Sequence, residues 1–155
     1  LVNNELIRIS DFINENNYIY KNSKLIDDLN LNDIFFSMFN NFKTNISFNT
    51  NYYLSLFNGK YITENVKNYH NTLLINILYG ECYIYLFNPK HENDIKNKEL
   101  NEIKKWSIEI KGNSNTLLYI PSNWYYIINI PNKCIICHIE SDNYFTFIYN
   151  TIMAI

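Results

Sequence analysis

The chain is poor in the residues that loosen or punctuate a backbone. Its 155 residues include only three glycines, three prolines and one alanine, Ala154. Gly-rich linkers, collagen-like repeats and Pro-rich spacers are thereby excluded. Arginine is nearly absent too, with Arg8 alone, and the net charge is −2. Arg is the favoured group for bidentate phosphate contacts, so nucleic acid is not an expected partner. No apolar run approaches the ~20 residues that span a bilayer, and no signal-peptide pattern opens the chain. A membrane partner is not expected either. Cys82, Cys134 and Cys137 are odd in number, which argues against a disulfide framework and fits a reducing, intracellular compartment. Leu1 in place of Met reads as a trimmed chain or a segment of a longer product.

What is present is apolar and aromatic. Hydrophobic residues make up 47% and aromatics 17% of the chain, which excludes intrinsic disorder. The length fits one domain, able to bury about 68–70% of its unfolded surface. Asn, Ile, Lys and Tyr are abundant. All four have A/T-rich codons, so clusters such as Asn3-Asn4, Asn16-Asn17 and Asn40-Asn41 read as solvated loop or cap positions.

Periodicity divides the chain near residue 44. Leu31, Ile34, Phe35, Met38, Phe39 and Phe42 form one apolar face at helical spacing, which predicts a helix packed on a sheet. Beyond residue 44 the period becomes two. Strands are expected over 45–57, 60–66, 73–78, 82–87, 106–111, 116–120, 125–130, 134–139 and 144–149. Asn58-Gly59 is a hairpin signal, Gly80 marks another, and Pro131-Asn132 and Ser141-Asp142-Asn143 mark turns. The charged segment 89–105 reads as a loop or short surface helix. Many short strands after one helix point to an antiparallel sandwich or barrel.

Three local patterns sharpen that expectation. Tyr119-Ile-Pro-Ser-Asn-Trp-Tyr-Tyr126 resembles the Phe-Ile-Pro-x-Gly-Trp-Trp-His run of cupin-like and JmjC-like proteins. Asn68-Tyr-His-Asn71, followed by Leu73 to Gly80 and Cys82 to Pro89, is similar to that family's strand–Gly–strand segment. The ending from Phe145 to Met153 is similar to a Tyr-x-Thr-x-Met tail in cupin-like proteins of large DNA viruses. The resemblance implies a mainly β double-stranded β-helix, or jelly-roll, with an N-terminal helix. It implies a helical extension over 1–43 packed on a cupin-like domain over 44–155. It also implies residence in the host-cell cytoplasm or the virion.

The same resemblance implies a lost metal site. Active members carry a His-x-Asp/Glu pair and a distal His that bind Fe(II) beside 2-oxoglutarate. Here Tyr126 stands at the distal His position, Asn123 at the turn glycine, and no His-x-Asp/Glu adjoins His70. A neutral phenol is a much poorer ligand for such a metal than an imidazole. The expectation is therefore a non-catalytic binding or structural module, with no catalytic residues, metal or cofactor. Its ligand pocket is expected at Tyr69, His70, Trp124 and Tyr126. The alternative is an Fe(II)/2-oxoglutarate hydroxylase using His70 with His138-Glu140.

Two motifs are set aside on geometry. Cys134-Ile-Ile-Cys137-His138 matches a haem-attachment or zinc half-site spacing, but on a strand the two sulfurs face opposite ways. His138-Ile139-Glu140 shares one strand face, and with Ile135, Cys137 and Ile139 taken as the core face it is expected outside. The aromatic strands 52–57 and 144–149 have two apolar faces, which suggests cover by a protein partner, a second copy or the N-terminal helix.

Overall fold

Apolar alternation and a few turn residues convert most of the chain into strands. A computed structural model describes residues 19–22, 33, 37, 40 and 47–153. In chain order the strands are β1 (Ile19–Asn22), β2 (Ser47–Asn58), β3 (Tyr61–Ile62), β4 (Val66–Lys67), β5 (Thr72–Tyr79) and β6 (Glu81–Phe87). Two short helices follow, α1 (Glu92–Ile95) and α2 (Leu100–Ile103). Then come β7 (Ser107–Asn113), β8 (Leu117–Ile120), β9 (Tyr125–Ile130), β10 (Lys133–Asn143) and helix α3 (Tyr144–Met153).

The strands form two sheets, ordered β1-β2-β10-β5-β8 and β3-β9-β6-β7, with β4 also on β9. From β2 onward the pairing is nested. β2 pairs with β10, β3 and β4 with β9, β5 with β8, and β6 with β7, all antiparallel. A long hairpin rolled in this way into two facing sheets is a jelly-roll. This is the expected fold class.

Rolling changes what the turns do. Asn58-Gly59, Gly80 and Pro131-Asn132 each join strands of opposite sheets, so they are corners and not the hairpins that their residues suggest. At Gly80 the backbone is left-handed, with φ +83°, and a Cβ would fall on the Lys133 carbonyl oxygen.

The inter-sheet core takes one face of each strand. It includes Phe57, Leu73, Ile75, Ile84, Leu86, Ile128, Cys134 and Ile136, all buried. The far side of the β6–β9 sheet packs Tyr85, Phe87 and Ile127 against Ile95 of α1 and Ile103 of α2. Tyr83 packs against this outer cluster. The far side of the β2–β10–β5 sheet buries Leu54, Leu74, Cys137 and Ile139.

Three expectations change. Residues 144–149 form the start of α3, not a strand. Asn143 decides this: its Oδ1 accepts the Thr146 N–H at 2.9 Å, and Thr146 Oγ1 accepts the Asn143 N–H at 3.0 Å. That reciprocal cap satisfies the helix start, which aromatic alternation does not reveal. Within the expected helical extension 1–43, Ile19–Asn22 form β1 at the edge of the first sheet. Finally, strand 60–66 is broken into β3 and β4. The stripe from Leu31 to Phe42 lies outside the described residues, while Asp33, Ser37 and Asn40, on the face opposite to it, are helical and exposed.

Gly80→Ala combines a disfavoured φ with a backbone clash. It is expected to destabilise the domain by well over ~1 kcal/mol in urea denaturation. A loss within error would show that the corner relaxes freely.

Candidate functional site: a polar cluster at the barrel mouth

β10 lays out the site through its alternation. Cys134 and Ile136 lie in the inter-sheet core. The register with β2 is continuous from Lys133 to Asp142, so His138, Glu140 and Asp142 share that inner face. The expectation that His138 and Glu140 point outward is therefore corrected. His138 and Asp142 are buried, and the Glu140 side chain is only 13% exposed. Central strands of a jelly-roll are apolar on both faces, so Ile135, Cys137 and Ile139 did not mark the single core face. Cys134 and Cys137 do lie in separate cores, as strand geometry requires.

His70 meets this face from the β4–β5 loop. Its Nδ1 lies 3.1 Å from Asp142 Oδ2, and its Nε2 lies 3.3 Å from Glu140 Oε2. Both contacts can be hydrogen bonds at once only when both ring nitrogens carry protons. The two carboxylates thus sit off opposite edges of one ring. Among the described residues no group of three or more His, Cys, Asp and Glu side chains is arranged to hold a metal ion. The residues do not fit the metal set that the resemblance implies for active members.

Asn68 holds the loop in place, and sequence reasoning missed its role. The residue is 1% exposed. Its Nδ2 donates to the carbonyls of Ile120 at 2.9 Å and Pro121 at 3.1 Å. Its Oδ1 accepts the His70 N–H at 2.9 Å. The Asn68 N–H donates to Trp124 O, and Asn68 O accepts from the Asn123 N–H. One asparagine therefore ties the His70 loop to the Pro121–Trp124 turn. Asn123 adopts φ +66°, and Asn is among the few residues that tolerate this region.

α3 closes the other side. Asn150 Nδ2 donates to Asp142 Oδ1 at 3.3 Å and approaches Tyr69 O at 3.5 Å. Asn143 Nδ2 donates to Asn71 Oδ1 at 3.1 Å. Asp142 was taken as part of a turn. Its role was available from the two-residue rhythm of Cys134, Ile136, His138, Glu140 and Asp142.

Of the expected pocket residues, Trp124 and Tyr126 pack against the inter-sheet core, and His70 stands between Glu140 and Asp142. Tyr69 is not brought to them. It turns toward α3, with its ring centroid 6.3 Å from that of Tyr149. Burial, with the nearby charge of Glu140 adding to it, pushes the Tyr126 phenol up to about 12. The same two causes raise Tyr53, which faces His138 across the β2–β10 register.

No family model matches the sequence. No curated protein matches it either. Solved structures align with part of the chain. A cupin superfamily protein from Desulfitobacterium hafniense aligns with TM-score 0.46 and 14% identity, over 65% of this chain and 72% of its own. The cupin domain of Schizosaccharomyces pombe Cnp3 aligns with TM-score 0.47 and 11% identity, over 73% and 66%. An RmlC-like cupin with a double-stranded β-helix fold from Methanocaldococcus jannaschii gives 0.46 and 10%, over 70% and 80%. The jelly-roll itself is established by the strand order above. No helix among the described residues is long and apolar enough to cross a membrane.

Two measurements test this geometry. Because the folded state keeps the Tyr126 proton above the ordinary value near 10, its contribution is full below pH ~10. It is lost as pH rises toward ~12, by about 2–3 kcal/mol. Tyr126→Phe should flatten that part of the stability curve, and parallel curves would contradict a buried phenol beside Glu140. Asn68→Ala should cost on the order of 3 kcal/mol in chemical denaturation, since it strands several buried partners. A cost below ~1 kcal/mol would remove Asn68 from its central place.

Proposed function

We propose that this chain is a non-catalytic, cupin-like jelly-roll serving as a binding or structural module, whose barrel mouth is held by internal hydrogen bonds in place of a metal. The observation that carries this reading is the single imidazole of His70 engaged on both edges by Glu140 and Asp142. A neutral Tyr126 at the position of the distal ligand supports it, because a protonated phenol offers little to Fe(II). In this reading His70, Trp124 and Tyr126 form one wall for a small polar ligand or a peptide. The degenerate, JmjC-related viral type, in host-cell cytoplasm or virion, remains the source we favour on the strength of the 119–126 run.

A second reading has one observation in its favour. His138 and Glu140 face the barrel interior, and Glu140 contacts His70, so the residues named for an Fe(II)/2-oxoglutarate hydroxylase share one region. Anaerobic Fe(II) titration with 2-oxoglutarate separates the two. We expect no stoichiometric metal and no 2-oxoglutarate consumption above the buffer blank. We also expect His70→Ala to lower stability by about 1–3 kcal/mol, since Glu140 and Asp142 each lose a partner. Stoichiometric Fe(II) binding coupled to turnover, abolished by His70→Ala without loss of stability, would overturn the module reading.

A further inference from the structure

α3 shows solvent a face that a soluble helix ordinarily buries. Phe145 is 78% and Ile152 64% exposed, and Tyr144, Ile148 and Tyr149 are exposed beside them. These positions form a continuous band along the helix, one and four residues apart. Tyr69, also exposed, extends the band past Tyr149 onto the barrel rim. The opposite face of α3 carries Asn150 and Thr146, which are engaged at the barrel mouth and the helix cap. The helix therefore cannot turn its aromatic face inward without releasing Asp142.

The geometry points to this band as the two-fold interface of a homodimer of the chain. Three features favour a second copy as the occupant. First, α3 has no charged residue in its ten positions, so two copies can meet without like-charge repulsion. Secondly, four aromatic rings and two isoleucines at these exposures offer roughly 600 Å² per copy, taking roughly 200 Å² for each ring. Two copies then remove roughly 1,200 Å² from water, the lower bound for a specific, stable interface. Thirdly, the band is self-complementary. With the dyad at Ile148, antiparallel helices set Tyr144 and Phe145 of one copy against Ile152 of its partner, large rings filling the space beside a smaller side chain. A closed two-fold pairing uses the whole patch and leaves none for further growth.

The test is sedimentation velocity of the full chain across a wide concentration range. The wild type should reach a dimer, and Phe145→Asp with Ile152→Asp should raise its Kd at least about 100-fold. Circular dichroism should hold, since both side chains are exposed in the single chain, while the thermal midpoint should lose its dependence on protein concentration. Ile148→Cys should cross-link into a disulfide dimer under mild oxidation, because a residue on the dyad faces its own copy. Cys82, Cys134 and Cys137 are buried and should not compete. A wild-type monomer at every concentration would overturn the proposal, as would a dimer that survives both substitutions. So would hydrogen exchange and cross-linking showing α3 covered within a monomer by residues 1–18 or 23–46.

Discussion

The structure depends on the alternation of β10. It is hydrogen-bonded to β2 on one side and β5 on the other, and seven of its eleven residues, drawn from both faces, are buried. Its odd-numbered residues Cys137 and Ile139 enter the outer cluster, and Cys134 and Ile136 enter the inter-sheet core. Once these are fixed, His138, Glu140 and Asp142 have to lie indoors, because no bulge intervenes before Asp142. Buried ionisable groups require partners, since a lone carboxylate in such a place is strongly penalised. The His70 loop and the amide of Asn150 supply them. What looks like a site is first the solution to a burial problem posed by one strand.

Rigid backbone anchors then set where those partners stand. Asn68 uses its amide, its N–H and its carbonyl on the Ile120–Trp124 segment and on His70. Asn123 takes the left-handed conformation that the turn needs, and Trp124 and Tyr126 pack on the core beyond it. The same turn sets the Tyr126 phenol against the inter-sheet core.

Much of the fold was legible because strands announce themselves by alternation and by the residues that end them. Residues 125–130 coincide with β9, and the strands expected at 73–78 and 82–87 fall within β5 and β6. The partner of each strand was not legible. Asn58-Gly59 suits a tight turn whether it closes a hairpin or carries the chain to the opposite sheet, and only the packing of distant strands decides. The face of β10 was misread for a related reason: in a central strand both faces are apolar, so an Ile-x-Cys-x-Ile rhythm marks neither as the inside. Residues 144–149 were misread because aromatic alternation suits a strand, whereas a single side chain, Asn143, caps a helix. In the polar cluster, His70 was singled out beforehand through the family resemblance, and its place between Glu140 and Asp142 came from the structure. Asn68 and Asp142 were not, because their importance lies in contacts 52 and 72 residues away.

The central claim is that the His70 ring is committed to Glu140 and Asp142 and is not available to a metal. Nitrogen-15 NMR of the imidazole during a zinc titration at neutral pH addresses it directly. The nitrogen-15 shifts of both ring nitrogens should stay unchanged as zinc is added to equimolar ratio. A stoichiometric shift of one His70 ring nitrogen would contradict the account.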